Sequence, residues 1–153
     1  QRAAEKGNIE SLKRLVGRRV AVDLQTPTGT TALMTAVRRG HADAASFLLA
    51  QGADVNKADN NNYTPLFHLD ADDGTICALL LKHGVDITVR DHGNKTPLLH
   101  AVAYGNAGVV EKLLSAGADP DDRDCDGKNA MDLAQERKGP RIIEILEKRV
   151  KGK

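Results

Sequence analysis

Apolar residues recur along the chain at helical spacing, and a glycine follows each group. In the stretch around residue 80, Ile76, Leu79 and Leu80 fall on one face of a helix. Gly84 follows, and it can take the left-handed conformation that ends a helix. Two other stretches repeat the arrangement: Leu48 and Leu49 before Gly52, and Val109, Val110, Leu113 and Leu114 before Gly117. The pattern predicts a series of short helices, each stopped by glycine.

A second short motif keeps the same phase along the chain. It consists of a helix-starting residue and a short apolar run, and it begins at Thr31, Thr64, Thr96 and Asn129, with starts 33, 32 and 33 residues apart. The Thr64 hydroxyl is expected to cap a helix by accepting a bond from a free backbone N–H, with Pro65 at the first helical position. A repeat of this length predicts a stacked solenoid.

The repeated unit resembles the ankyrin repeat. The fullest match runs from Gly29-Thr30-Thr31-Ala32-Leu33 through Gly40-His41 to Asn56, and the resemblance covers roughly residues 3–148. It implies one domain, an all-α solenoid of about five helix-turn-helix units with β-hairpin fingers, a partial first repeat and a capping last repeat. The units span residues 1–25, 26–58, 59–90, 91–123 and 124–153.

This chain departs from the family pattern at two kinds of position. The family often has His after Thr-Pro-Leu, where this chain has Met34, Phe67, Leu99 and Asp132. The polar network made by that His is therefore expected to be absent or altered. The third unit is one residue short near residues 72–75 and has Leu69-Asp70 in place of the usual Ala pair, so we expect it to be the least regular.

Composition fits a solenoid of short helices, because aromatic residues make up 3% of the 153 residues and Trp is absent. No apolar run is long enough for a membrane span, and no leader opens the chain. Since the chain starts within what resembles a first-repeat helix, we expect it to be a piece of a longer protein. Two cysteines, Cys77 and Cys125, predict reduced thiols in a cytoplasmic or nuclear protein.

The motifs needed for catalysis or metal binding are missing from the sequence. The five histidines lack metal-ligand spacing, and there is no nucleophile elbow, phosphate loop or zinc-protease pair. In the acidic run that starts at Asp119, the twelfth position is Ala130, where a calcium loop needs Glu. We therefore expect no enzyme activity, no cofactor and no metal.

Charge is distributed unevenly although the net value is only +1. Residues 1–41 hold 8 Lys/Arg and 3 Asp/Glu, residues 70–126 hold 5 and 11, and residues 127–153 hold 8 and 4. These fields either steer a charged partner or are ordinary solvated surface. The basic residues are not interleaved with aromatics for base stacking, so we expect no specific nucleic-acid binding. Since no apolar run is long enough, we expect no membrane insertion. A capped solenoid is expected to be a monomeric module.

The resemblance implies a protein or peptide partner bound in a concave groove between finger tips and first helices. The positions that match it and stand out chemically are Arg38, Arg39, Asn61, Tyr63, Asp70, Asp72, Arg90, His92, Lys95 and Tyr104. For Tyr63, packing on a neighbouring finger is the open alternative. A peptide with acidic, apolar and basic portions in matching order would complement a groove that is basic, then aromatic, and acidic around residues 70–72.

Two further expectations follow from the resemblance. Asn56 resembles the ankyrin positions modified by an asparaginyl hydroxylase, and a purely structural role in the finger turn is its alternative. The whole chain is either a non-enzymatic protein-interaction module or a regulatory segment of a larger enzyme or channel that docks within its own chain or complex.

Overall fold

The computed structural model describes residues 2–17, 21–69 and 74–151. Its elements are short helices in pairs, joined by loops. In chain order they are α1 (Arg2–Glu5), α2 (Ile9–Gly17), α3 (Ala32–Arg38), α4 (Ala42–Ala50), a 3₁₀ helix (Pro65–His68), α5 (Thr75–Lys82), α6 (Pro97–Tyr104), α7 (Ala107–Ser115), α8 (Ala130–Glu136) and α9 (Pro140–Lys151).

The helices stack in two rows. The first helices of the pairs contact one another in the order α1, α3, the 3₁₀ helix, α6 and α8. The second helices form the other row, in the order α2, α4, α5, α7 and α9. The core lies between the rows, where α4 buries Leu48 and Leu49 and α7 buries Leu113 and Leu114.

The predicted all-helical solenoid is confirmed by this arrangement. In the part of the chain that the structure describes there is no β-strand. The unit count of five and the hairpin form of the fingers stay predictions. None of the described helices is long and apolar enough to cross a membrane.

Capping interactions start most of the first helices. The hydroxyls of Thr31 and Thr96 accept backbone N–H bonds from residues Met34 and Leu99, at 3.2 and 3.4 Å. At the start of α3 the sulfur of Met34 also accepts the Thr31 N–H at 3.3 Å. The substitution of the family His therefore alters the local network and does not remove it.

The predicted cap at Thr64 is wrong. Its side chain makes no cap bond to the helix that it precedes, and its hydroxyl is buried without a partner among the described residues. The physical reason is the tighter 3₁₀ turn, in which the Phe67 N–H bonds to the Thr64 carbonyl at 3.0 Å. The amide that the hydroxyl would have met is thus already used by the backbone.

The third unit differs from its neighbours at both of its helices. Its first helix is a four-residue 3₁₀ helix, where α3 has seven residues and α6 has eight. Its second helix, α5, has eight residues, where α4 and α7 have nine. The buried pair Ile76 and Cys77 lies one residue closer to the helix start than its counterparts in α4 and α7, so the missing residue belongs to the first turn of α5.

Two glycines share a left-handed backbone conformation but differ in the space around them. Gly29 (φ +82°) and Gly52 (φ +84°) have the same conformation. A Cβ on Gly29 would lie 2.7 Å from the Asn60 backbone nitrogen, whereas a Cβ on Gly52 would meet nothing within 4 Å. The loops that contain Gly29 and Asn60 are neighbouring fingers. They approach each other too closely at Gly29 for any side chain.

We predict that Gly52→Ala lowers the free energy of unfolding by about 1–2 kcal/mol, the cost of the left-handed conformation alone. Gly29→Ala is expected to cost roughly 1–3 kcal/mol more, because the backbone of the next finger must move. Urea unfolding followed by circular dichroism measures both values. Equal losses in the two variants would show that the fingers do not pack as described.

Candidate partner-binding surface

A carboxylate shapes each of the three later finger tips. One oxygen of Asp59 accepts the backbone N–H groups of the residues two and four positions later, at 2.8 and 3.0 Å. Asp91 does the same at 2.8 and 2.8 Å, and Asp124 at 3.0 and 2.9 Å. In the first finger the Thr26 hydroxyl takes this place and accepts the Thr30 N–H at 3.0 Å. The tips therefore share one backbone shape.

Hydrogen bonds between tips hold the fingers in a row. The Asn62 amide donates to the Arg90 carbonyl at 2.6 Å, and the Asn94 amide donates to the Arg123 carbonyl at 2.8 Å. Both asparagines have positive φ, 63° and 58°, a conformation that Asn tolerates better than most residues. A partner would thus meet a surface whose spacing is set before binding.

Arg90 belongs to this framework. Its Nη1 donates to the carbonyls of Asn94 and Arg123, at 3.0 and 3.4 Å, and its Nη2 bonds to Asp122. The Gln25 amide makes the equivalent pair of bonds two repeats earlier, to the carbonyl of Gly29 and to that of Ala58 in the next unit. The sequence placed Arg90 among the candidate partner-binding residues. In the structure most of its N–H donors bond to neighbouring fingers.

An aromatic cluster occupies the middle of the first-helix row. Its members are Tyr63, Phe67, His68, His100 and Tyr104. Tyr63 stacks on Phe67 with ring centroids 5.1 Å apart and meets His100 edge-on at 5.7 Å. Tyr104 stacks on His100 at 4.4 Å and remains 60% exposed. The cluster joins the third unit to the fourth and presents one aromatic face to solvent.

Sequence reasoning found the two tyrosines of this cluster but missed His68 and His100. The cluster gives Tyr63 a packing role on helix residues of its own and the next unit, whereas the open alternative for Tyr63 was packing on a neighbouring finger. Each histidine follows the threonine of its repeat motif by four residues, Thr64 for His68 and Thr96 for His100, and that equivalence was the available signal. A shallow depression next to Tyr104 is lined in part by Leu66, Leu69 and Pro97.

The predicted cations differ in how far their charge is already matched. Arg39 bonds to Glu5 at 2.9 Å, with both side chains about half exposed. Arg38 is exposed, and within the described residues it has no hydrogen bond or ion pair from its guanidinium. His92 is exposed and Lys95 is half-buried, also without a side-chain partner in the described part of the chain.

The remaining predicted positions are polar or acidic. Asn61 is exposed at a finger tip, and its backbone N–H is held by Asp59. Asp70 and Asp72 lie outside the described residues. The structure therefore brings together Tyr63 and Tyr104 through the cluster, whereas Arg38, His92 and Lys95 are not part of it.

Asn56 connects two neighbouring units. Its side-chain oxygen accepts the Asp86 N–H at 2.8 Å, and its amide nitrogen lies 3.5 Å from the Gly84 carbonyl. The residue is exposed while its side-chain amide is engaged. The Asp86 carboxylate in turn accepts the Thr88 hydroxyl and N–H, and these bonds lower the pKa of Asp86.

The last unit contains an ion pair between Lys128 and Glu136. The Lys128 Nζ lies 2.7 Å from a Glu136 carboxylate oxygen, and this bond raises the pKa of Lys128. The thiol of Cys77 is buried and that of Cys125 is exposed. Within the described ranges no three His, Cys, Asp or Glu side chains cluster as metal ligands would.

Comparison with known proteins places the chain in a family. A model described as ankyrin repeats (3 copies) matches residues 1–91 and again residues 68–151. The chain therefore belongs to the ankyrin repeat family, whose members generally act through protein–protein interaction and not through catalysis.

Relatives align with this chain over part of their own length. A putative ankyrin repeat-containing protein of Treponema pallidum (strain Nichols) is 29% identical over 92% of this chain and 37% of its own. Potassium channel AKT1 of Arabidopsis thaliana is 46% identical over 41% of this chain and 7% of its own. Protein phosphatase 1 regulatory subunit 27 of Mus musculus is 35% identical over 44% of each. The chain thus spans less than half of each relative.

Tyr63 and Tyr104 are expected to differ sharply in their effect on stability. Tyr63→Ala removes a half-buried ring that touches three cluster members, and we predict a loss of about 2 kcal/mol in the free energy of unfolding. Tyr104→Ala removes a mostly exposed ring, and the expected loss is about 0.5 kcal/mol. Urea unfolding of the two variants tests this, and a larger loss for Tyr104→Ala would contradict the packing described.

Proposed function

We propose that this chain is a non-enzymatic interaction module that binds a partner protein or peptide in the groove formed by finger tips and first helices. The observation that carries the proposal is Tyr104, a 60%-exposed ring held by stacking on His100 in the middle of the first-helix row. Aromatic side chains are enriched among the residues that dominate interface energies. An oriented ring loses little conformational freedom on binding, so its burial contributes to affinity at low entropic cost.

The charges around this ring set the chemistry of the partner. Arg38, exposed and unpaired within the described chain, marks the basic end of the groove. Asp70 and Asp72 make the sequence acidic between the third unit's helices. A partner segment with acidic, apolar and basic portions in matching order is the complement we propose. Arg39, Asn61, Tyr63, Arg90, His92 and Lys95 are its further candidate contacts.

A second role would be docking within a larger protein. One relative is named a potassium channel and another a phosphatase regulatory subunit, and this chain matches only a section of each. The same groove would then bind a segment of the parent chain or of its complex. The residues that carry the binding are the same in both cases, and only the source of the partner differs.

Affinity capture from cell lysate tests the groove. We expect wild-type chain to retain a partner that the double variant Arg38→Glu/Tyr104→Ala loses, because the variant reverses the unpaired cation and removes the exposed ring. Lys82→Glu is the matched control, since it makes the same charge change at an exposed position on α5, in the row of second helices. Circular dichroism confirms that all three are folded.

The outcomes separate the alternatives. A partner lost with the double variant and retained by Lys82→Glu supports the groove. A partner retained equally by all three would place binding on another face and contradict the proposal. Capture of no partner by wild-type chain would favour docking within a larger parent protein.

We further propose Asn56 as a hydroxylation site. It is exposed, and a hydroxyl on its β-carbon would leave the amide free to keep its bond to Asp86. Mass spectrometry of chain purified from cells is expected to show one added oxygen on the peptide containing Asn56, and none in Asn56→Gln. An unmodified Asn56 in wild-type chain would leave its bridge to the next unit as its role.

A further inference from the structure

The repeat supplies an internal reference for Lys95. Lys95 and Lys128 each lie four residues after the carboxylate that shapes their finger tip, and each donates its backbone N–H to it, at 2.8 and 2.9 Å. The helices that follow, α6 and α8, begin two residues after each lysine. The two lysines therefore leave the same backbone frame, so their side chains can reach equivalent places in their units.

The two lysines differ in what they find there. Lys128 pairs with Glu136, eight residues later in the last turn of α8. Eight residues after Lys95 is Ala103, in the last turn of α6, and its methyl group offers no charge. Within the described residues the Lys95 ammonium has no other partner, although its side chain is half-buried. The fourth unit thus keeps the cation of the pair and lacks the carboxylate.

A second cation, from the next unit, contacts Ala103. The Nη1 of Arg137 donates to the carbonyl of Ala103 at 2.7 Å. Its guanidinium lies against Gly105, whose φ of +80° favours glycine after Tyr104. Among the described residues no carboxylate pairs with Arg137, and the bond to Ala103 leaves further N–H donors of the fork unused.

The apolar half of the site adjoins these two cations. Tyr104 follows Ala103 directly and exposes one face of its ring. Tyr104 also lines the shallow depression, together with Leu69 and Pro97. Two unmatched cations beside an exposed ring are complementary to a carboxylate that has an apolar side chain next to it.

We infer that the groove binds a partner Asp or Glu side chain over Ala103, between Lys95 and Arg137, with an adjacent apolar partner residue packed on Tyr104. The inference rests on the proposed groove binding and adds to it the residue class of the central contact. The carboxylate takes the place that Glu136 occupies beside Lys128. This placement puts one acidic residue of the partner in the middle of the groove. It is additional to the acidic portion that faces Arg38.

The substitution Ala103→Glu tests this placement directly. It supplies the missing carboxylate from within the chain, and the last unit shows that the fold accepts such a pair at this spacing. Random short peptides displayed on phage would be selected on wild-type chain and counter-selected on Ala103→Glu. We expect the enriched peptides to carry Asp or Glu beside an apolar residue.

Synthetic copies of the enriched peptides then give dissociation constants by fluorescence anisotropy. Ala103→Glu and Lys95→Glu are each expected to weaken binding by about tenfold or more, since both place a like charge against the partner carboxylate. Lys82→Glu, the same charge change on the row of second helices, is expected to leave the dissociation constant unchanged. Replacing the peptide Glu by Lys should restore binding to Lys95→Glu.

Other results would overturn the inference. One is a selection that enriches no carboxylate-bearing peptides over the Ala103→Glu counter-selection. Another is a set of peptides that bind Ala103→Glu and wild type equally. If such peptides still lose binding to Arg38→Glu/Tyr104→Ala, the groove proposal stands and only the carboxylate placement fails. If they bind that double variant as well, both proposals fail.

Discussion

Every helical pair in this chain has an apolar face that only the neighbouring pair can cover. The buried residues Leu48 and Leu49 of α4, for example, belong to a helix that contacts α2 in the unit before it and α5 in the unit after it. Burial of that kind supplies most of the stabilisation of a fold, and here it depends on contacts between units. It also fixes the distance from one unit to the next, so the fingers and the first helices hold a set spacing along the whole stack.

That spacing determines what the polar residues can do. Because finger tips repeat at a fixed distance, an Asn amide in one tip reaches the carbonyl of the next, and a long donor such as Gln25 or Arg90 spans two carbonyls. Close approach of the backbones at Gly29 is the cost of this arrangement. The surface offered to a partner is therefore set by contacts between units, while its chemistry is set by side chains that no contact uses.

The sequence predicted the features that are local and repeated. It did not reveal contacts whose partner lies in another unit, or the tighter turn that follows Thr64. Helix starts at Thr31 and Thr96 follow from residue type and spacing. The cap at Thr64 does not form because the turn tightens to a 3₁₀ helix, which the Thr-Pro-Leu motif does not reveal. The sequence named Arg90 as a candidate contact and could not show its role in bracing the fingers, because the carbonyl and the carboxylate that hold it belong to the next unit.

The same comparison explains why some charged residues remain available for binding. Exposed ion pairs such as Arg39–Glu5 and Lys128–Glu136 stabilise a fold by roughly 0–1 kcal/mol, so a unit that lacks one carboxylate loses little stability. A cation left unmatched in a half-buried position nonetheless remains a strong attractor for a partner's carboxylate, since part of its hydration is already removed. Lys95 is such a case, since Ala103 stands where the last unit has Glu136. A repeat protein can therefore gain a binding position by omitting one member of a pair that its neighbouring unit completes.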